Sequence, residues 1–296
     1  MESYDEIIYE ERLVAFIDIL GFKEVVKKSE RNADTRKLIY DSLVFLKKRE
    51  YASNWDLQLI EIEEDAQKRN LEDFDISNRT ACTSFSDSIA VSVGYDKSTI
   101  NETLSTLIAN LSLVGARLMT KGILFRGGIT TGRTIHLDNG IIFGQGLIDA
   151  YELESKAASF PRILLSDKLL KLLNYPITTK RDRYPYHQYI KRFSDGCVGF
   201  HQMIYFEVLQ SWKKMSERRL KIGLTRVKKT IINGLDNSFE NPNIYNKYLW
   251  LKNEYDKLYI DDKIKPRLYN LNEDIAGQNI HYSYTDDFYE SKKTSH

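Results

Sequence analysis

Cysteine is scarce in this sequence, which excludes two classes of protein. Among 296 residues there are two cysteines, Cys82 and Cys197, which lie far apart in the chain. So few thiols cannot form a disulfide framework, and they suit a reducing compartment. No cysteine or histidine pair has the spacing of zinc ligands, so we do not expect a zinc site.

Long apolar runs and an excess of charge of one sign are also lacking. No apolar run approaches the roughly 18 residues of a membrane-spanning helix, and the N-terminus, MESYDEIIYEER, is acidic and unlike a signal peptide. The net charge is +1, from 43 Lys and Arg against 42 Asp and Glu. We therefore expect a cytoplasmic protein that binds neither membranes nor nucleic acid through charge alone.

The most informative stretch that is present is LVAFIDILGF, residues 13–22. Its apolar, β-branched and aromatic residues predict a buried strand, and Gly21 marks a turn at its end. Asp18 lies inside this strand, where a carboxylate is costly without a positive partner. That partner is either a side chain in a salt bridge or a metal ion.

The remaining elements are predicted from periodicity and turn residues. Residues 80–94 form a hairpin around Ser86 and Asp87. Thr99 and Glu102 have capping-box spacing and open a long amphipathic helix that ends near Gly122. The other predicted elements are a strand at 123–130, a strand pair at 133–143, helices at 144–159 and 167–173, a strand at 162–165, and helices at 220–232 and 245–258.

This succession predicts an α+β protein with a mixed, mainly antiparallel sheet and helices largely on one face. Residues 1–175 are predicted as one domain, and residues 176–296 as a mainly helical C-terminal extension with a polar tail from about 272. The charged stretch at 54–78 is predicted to be a solvated excursion.

Two carboxylates pair naturally in this arrangement. If the first strand lies beside the hairpin, Asp18 and Asp87 reach one point at the end of the sheet. Divalent cations such as Mg²⁺ take one or two carboxylates together with substrate phosphates. The turn at Gly21 and Phe22 adds helix N–H groups that favour an anion. The alternative for Asp87 is that it only shapes the turn.

These stretches, taken together, resemble a known family. FIDILGF resembles the first strand and metal loop of the class III nucleotidyl cyclases, SFSDSIAVSVG their second metal-binding hairpin, and RGGITTG their Arg-x-Gly-Ile-x-x-Gly strand. The segment from Asn139 to Leu165, which ends in ILLS, is also similar. The resemblance spans about residues 12–175, with the motifs in the family order.

The resemblance implies a ferredoxin-like cyclase core that works as a head-to-tail homodimer with each site at the interface. Asp18, Asp87 and the backbone carbonyl of Ile19 would hold two divalent cations, Mn²⁺ or Mg²⁺. A ribose 3′-hydroxyl would attack the α-phosphorus, and pyrophosphate would leave. The residues expected to bind the nucleotide are Phe16, Gly21, Phe22, Lys23 and Thr83.

Several positions depart from the family pattern. Thr83 and Ile141 stand where purine-specific cyclases read the base, and neither can make the usual purine contacts. Ile148 and Glu152 stand near the positions of the transition-state Asn and Arg.

Arg126 is the expected replacement cation for the phosphates, because guanidinium makes bidentate phosphate contacts; the alternative is a structural pair with a carboxylate. Lys23 is a second candidate cation, with an ordinary surface position as its alternative.

GQGLIDAYELE, the segment AASFPRI, Asp195-Gly196 and KYLWLKNEYD look most like the pyrimidine cyclases of the bacterial anti-phage system Pycsar. The expectation is therefore a cyclase that converts UTP, or alternatively CTP, to the cyclic monophosphate in anti-phage defence. The alternatives are a catalytically silent cyclase-homology module for dimerisation or nucleotide sensing, and a purine cyclase. A diguanylate cyclase is excluded because the hairpin reads Phe-Ser-Asp-Ser.

Overall fold

The structure is a computed structural model that describes residues 7–37, 39–40, 79–176, 184–211, 213 and 215–268. The predictions of a solvated excursion at 54–78 and of a polar tail from about 272 lie outside these residues.

Eight strands belong to one sheet. They are β1 (Glu10–Leu20), β2 (Thr80–Phe85), β3 (Ser88–Gly94), β4 (Leu124–His136), β5 (Ile142–Gly144), β6 (Arg162–Leu165), β7 (Lys191–Arg192) and β8 (Val198–His201).

Seven α-helices surround the sheet in the described part of the chain. They are α1 (Phe22–Ser29), α2 (Ile100–Thr120), α3 (Gln145–Ala157), α4 (Asp167–Leu172), α5 (Ile204–Ser211), α6 (Glu217–Asn237) and α7 (Pro242–Asp256). A short helical segment at 33–37 follows α1, and a 3₁₀ helix spans Pro185–Gln188.

The strand order is β2-β3-β1-β4-β6-β8-β7, and β5 pairs with β4 outside this path. All neighbours are antiparallel except β4 and β6, which are parallel. The sheet is therefore mixed and mainly antiparallel, and the predicted α+β class is confirmed. Apart from the short helical segment at 33–37, the first described elements run β-α-β-β-α-β, and β1 lies between β3 and β4.

The alternation of β1 divides its side chains between the two faces of the sheet. Leu13, Ala15 and Ile17 join the large core formed with α2, α5, α6 and α7. Val14 and Phe16 point to the other face, where they pack with Ala150 of α3. Most helices thus lie on one face, and α3 covers the other, which is the face that carries Asp18.

Helix α3 lies very close to β4 because glycine faces it. A Cβ atom on Gly128 would come within 2.8 Å of Leu153 Cβ and 2.9 Å of the Ala150 carbonyl oxygen. Such distances are shorter than ordinary packing contacts, so a larger residue would push α3 away from the sheet.

Two local predictions were wrong. Thr99 makes no capping hydrogen bond to α2; its hydroxyl donates instead to the Asp96 carbonyl and accepts from the Asp96 N–H, in the preceding turn. The stretches predicted as separate strands at 123–130 and 133–143 contain one long strand, β4, followed by the short β5.

The sheet continues past residue 175, the predicted end of the first domain. Strand β8 pairs with β6, and β7 pairs with β8. Helix α7 contributes Leu251 and Tyr255 to the large core, and it packs Trp250 at a stacked distance of 5.3 Å from Phe160. The C-terminal segment is therefore packed against the sheet.

Candidate active site

Asp18 lies near the end of β1, between two strands that bring the other candidates to it. Its Cα is in register with Ser88 on one side and with Arg126 on the other. The Asp18 side chain is 20 % exposed. The predicted meeting of the first strand with the hairpin is thus present in the sheet.

Asp87 occupies the turn between β2 and β3, directly before Ser88. Ser86 has a φ of 56°, a left-handed conformation that closes this two-residue turn. The Asp87 carbonyl accepts a 2.9 Å hydrogen bond from the Ile19 N–H. This bond ties the turn to the end of β1, so that Asp87 is held next to Asp18.

Arg126 is held by two hydrogen-bond acceptors and one ion-pair partner. Its Nε lies 2.7 Å from Glu154 Oε1 and 3.3 Å from Asp18 Oδ2, and its Nη1 donates to the Ala158 carbonyl at 3.3 Å. The contact with Glu154 is a close ion pair without hydrogen-bond alignment. The structural pair considered for Arg126 therefore exists, and it includes Asp18.

Burial and mutual repulsion act on the carboxylates of the cluster. Desolvation raises the pKa of Asp18, the Arg126 charge opposes this, and the Asp87 charge adds to the rise. Desolvation likewise raises the pKa of Glu154, with Arg126 opposing and both aspartates adding. The three carboxylates are close enough to repel one another, which is the electrostatic condition that a bound cation relieves.

A divalent cation fits these donors. Asp18 supplies carboxylate oxygens from β1 and Asp87 from the β2–β3 turn, and the Asp18–Arg126 contact is long, so it can yield to a metal. No group of three or more His, Cys, Asp and Glu side chains forms a metal cage in the part of the chain that the structure describes. Mg²⁺ does not need one, because it binds through one or two carboxylates plus waters and phosphates.

The N-terminus of α1 directly follows the end of β1, close to Asp18. Gly21 has a φ of 70°, which favours glycine, and it provides no side chain to cap the helix. Phe22 is half-buried against the large core, whereas Lys23 is exposed on the helix surface. The first N–H groups of α1 therefore have no side-chain cap, and Lys23 occupies the surface position considered as its alternative.

Thr83 is held in a buried hydrogen-bond network. Its hydroxyl donates to the Gly140 carbonyl at 2.8 Å and lies 2.9 Å from His136 Nε2. On the other side of the ring, His136 Nδ1 lies 2.8 Å from Ser92 Oγ, which accepts from Arg12 Nε. The hydroxyl proton of Thr83 is thus already engaged in a hydrogen bond within the protein.

Phe16 is buried on the same face as Asp18. Its ring lies 6.4 Å from Phe85 and 5.5 Å, edge to face, from Tyr151. Ile19 is buried, and its backbone pairs with Phe125. Among the residues expected to bind the nucleotide, Gly21 and Phe22 directly follow β1. Thr83 lies on β2, two residues before Phe85, and is thus further from the turn that contains Asp87.

Two residues of the cluster were not predicted. Glu154 is a buried acid that lies in line with Gly146 and Ala150 on the sheet-facing stripe of α3. An acid on a buried helical stripe is a signal that sequence alone carries. Lys247 of α7 is half-buried within electrostatic range of Arg126 and Asp18. Lys247 is the first residue of the segment KYLWLKNEYD noted in the sequence, but no role was predicted for it.

A separate cleft of about 1020 Å³ lies at the far end of α2, between α6 and α7. It is lined by hydroxyl, amide and charged groups that include Lys121, Thr230 and Ser238. None of the predicted site residues lines it.

Compared with known families and with curated proteins, the sequence matches no family model and no curated protein significantly. Among the residues that the structure describes, no helix is both long enough and apolar enough to cross a membrane.

Proposed function

We propose that this protein is a metal-dependent nucleotidyl cyclase that converts UTP, or alternatively CTP, to its 3′,5′-cyclic monophosphate and pyrophosphate. The observation that carries the proposal is the convergence of Asp18, Asp87 and Arg126 at the end of β1, beside the uncapped start of α1. Carboxylates, a guanidinium and free helix N–H groups are the groups that bind a metal-triphosphate complex.

The topology supports the same assignment. The order β2-β3-β1-β4, with the succession β-α-β-β-α-β, is that of a split β-α-β or ferredoxin-like unit. This is the core that the resemblance to class III cyclases implies. The two acids stand on the central strand and on the adjacent hairpin, as they do in those motifs.

In the proposed reaction, a bond forms between the 3′-oxygen and the α-phosphorus while the bond from that phosphorus to the β-phosphate bridging oxygen breaks. Divalent cations bound by Asp18, Asp87 and the Ile19 carbonyl would supply charge neutralisation and activation of the attacking oxygen. The α1 N–H groups would orient the phosphates. Arg126, positioned by Glu154, would stabilise charge on the phosphoryl oxygens.

The proposal includes a homodimer, and an apolar surface is available for it. Three side chains on the α3 side of the sheet are each 42–53 % exposed: Phe85, Ile148 and Tyr151. Phe85 and Tyr151 both contact Phe16, so this apolar surface adjoins the candidate site. Exposed apolar patches of this kind mark interaction sites.

A role in anti-phage defence and the choice of a pyrimidine follow from the resemblance alone. A catalytically silent module is the second candidate, favoured by one observation. Glu152, near the transition-state arginine position, is exposed and pairs with Lys156, while Ile148 is 51 % exposed and apolar. Neither residue can supply a positive charge to a phosphate.

The test is an incubation with Mn²⁺ and each of the four common nucleoside triphosphates, followed by detection of cyclic product and pyrophosphate. Product from UTP or CTP alone is expected. Asp18→Asn and Asp87→Asn should each lower kcat at least about a thousandfold, because each removes a metal ligand of a group-transfer site.

Asp96→Asn is the matched control, since Asp96 is an exposed acid that pairs with Arg79. It should leave turnover unchanged. Product from ATP or GTP would point to a purine cyclase, and a folded protein that forms no product from any triphosphate would support the silent module.

A further inference from the structure

Helix α7 is fixed beside the candidate site by aromatic packing. Trp250 stacks on Phe160 at 5.3 Å and lies 5.6 Å from Phe193. The same apolar cluster contains Ala158, whose carbonyl accepts the hydrogen bond from Arg126 Nη1. The face of α7 that carries Trp250 therefore meets the loop that holds Arg126.

Lys247 lies one turn before Trp250 on that face, because residues three apart are neighbours on a helix. It is half-buried, and the charges of Arg126 and Asp18 act on its ammonium group. Burial lowers its pKa, the Arg126 charge lowers it further, and Asp18 opposes both. A lysine of the C-terminal segment thus interacts electrostatically with Asp18 and Arg126 at the end of β1.

Among the residues that the structure describes, Lys247 has no carboxylate in contact, in contrast to Arg126. Arg126 is bound by Asp18 and Glu154. Among the described residues, no carboxylate lies within ion-pair distance of the Lys247 ammonium. A partly desolvated ammonium without a counter-ion is unfavourable, so its position favours an anionic ligand.

The net charge of the residues around Asp18 indicates what kind of anionic ligand Lys247 would bind. Asp18, Asp87 and Glu154 exceed Arg126 and Lys247 by one negative charge, so a lone anion is repelled until a divalent cation has bound. Once metal is bound, the acids are neutralised and the compact ammonium, with its three donors, is free for phosphate oxygens. A metal-bound phosphate chain meets both requirements.

We infer that Lys247 binds the phosphate chain of the nucleotide, so that the C-terminal segment completes a site whose metal ligands lie on β1 and the β2–β3 hairpin. The inference rests on the proposed function and extends it, because it assigns residues beyond 175 a direct part in substrate binding.

The test compares Lys247→Met and Lys247→Arg with wild type in two measurements. Calorimetry with Mn²⁺ and inorganic pyrophosphate measures binding of the phosphate group alone, and steady-state kinetics with UTP and CTP separates KM from kcat. Lys247→Met should weaken pyrophosphate binding and raise KM by about 10- to 100-fold, the worth of one charge-assisted contact. Lys247→Arg should recover part of the loss.

Lys221→Met is the matched control, because it removes the same charge from an exposed position on α6. It should change neither pyrophosphate binding nor KM. The thermal midpoint of Lys247→Met should equal or exceed that of wild type, because the substitution removes a desolvated charge. A lowered midpoint would assign Lys247 a structural role and overturn the inference.

The outcomes also separate the inference from the proposed function. If Lys247→Met binds pyrophosphate and turns over nucleotide like wild type, while Asp18→Asn is inactive, the inference fails and the cyclase proposal stands. If wild type neither binds pyrophosphate nor forms a cyclic product, both fail.

Discussion

At the scale of single residues, the network around His136 has a defined direction. Thr83 gives its proton to the Gly140 carbonyl, so His136 Nε2–H must donate to the Thr83 oxygen. Ser92 then donates to Nδ1 while it accepts from Arg12 Nε. Every proton in this chain has an acceptor only when the imidazole of His136 is neutral.

This network predicts a pH dependence of stability. Burial, followed by the nearby Arg12 charge, lowers the pKa of His136 to about 4, although Asp138 opposes the shift. The unfolded state therefore takes up a proton below about pH 6.5, and the folded state only below about pH 4. The free energy of unfolding should fall by about 3 kcal/mol as the pH drops between these values.

Urea unfolding at a series of pH values between 7.5 and 4.5 checks this prediction. His136→Gln should show a shallower decline than wild type, whatever its stability at pH 7.5. The difference between the two proteins isolates His136, because other buried groups such as His201 contribute equally to both. Parallel declines would contradict the assigned network.

At the scale of elements, the close packing of α3 against β4 depends on Gly128. Gly128→Ala should lower the free energy of unfolding by about 1–3 kcal/mol, because its methyl group meets Leu153 and the Ala150 carbonyl. Gly94→Ala is a matched control, since the nearest atoms to its Cβ would be 3.7 Å away. Denaturant melts of both variants make the comparison; equal losses would show that α3 is not held this closely.

The strands and helices that were predicted correctly are those marked by residues within or next to the element itself. An apolar run marked β1, turn residues marked the β2–β3 hairpin, and the strand at 162–165 was also predicted; Ser166, which follows that strand, caps α4 through its side chain. The break predicted inside β4 was wrong because the strand continues through Gly132, which pairs with Arg12 of β1 and where a Cβ atom would come within 3.0 Å of Gly146 of α3. The Thr99 cap was wrong because the preceding turn competes for the same hydroxyl.

The candidate site was predictable only in part, for a related reason. Asp18 and Asp87 stand in a strand and a turn that local pattern reveals. The Arg126–Glu154 pair depends on how α3 lies across β4, and Lys247 depends on the packing of Trp250 on Phe160. These are long-range contacts, and no periodicity within one segment encodes them.

At the scale of the whole molecule, the apolar surface on the α3 side predicts self-association. Ile148→Asp should convert a dimer to monomers, because a charge at the centre of an apolar interface is desolvated without a partner. Sedimentation velocity measures the change. Ile222→Asp, at an exposed position on α6, should leave the sedimentation coefficient unchanged.

A shared site would make the same substitution lower activity at protein concentrations below the dissociation constant of wild type. If the Ile148→Asp variant sediments like wild type, the apolar surface is not the dimer interface. A wild-type monomer at high concentration would contradict the dimer itself.

The central position of β1 has a consequence for biosynthesis. This strand leaves the ribosome well before its partners β3 and β4, which are encoded much later in the chain. Roughly 100 residues separate β1 from β4, which at about 5–20 residues per second amounts to several seconds of translation. Until β3 emerges, a nascent chain carries an apolar strand with neither of these partners, and the edge that pairs with β4 waits for the whole interval, which makes the chain a substrate for chaperones.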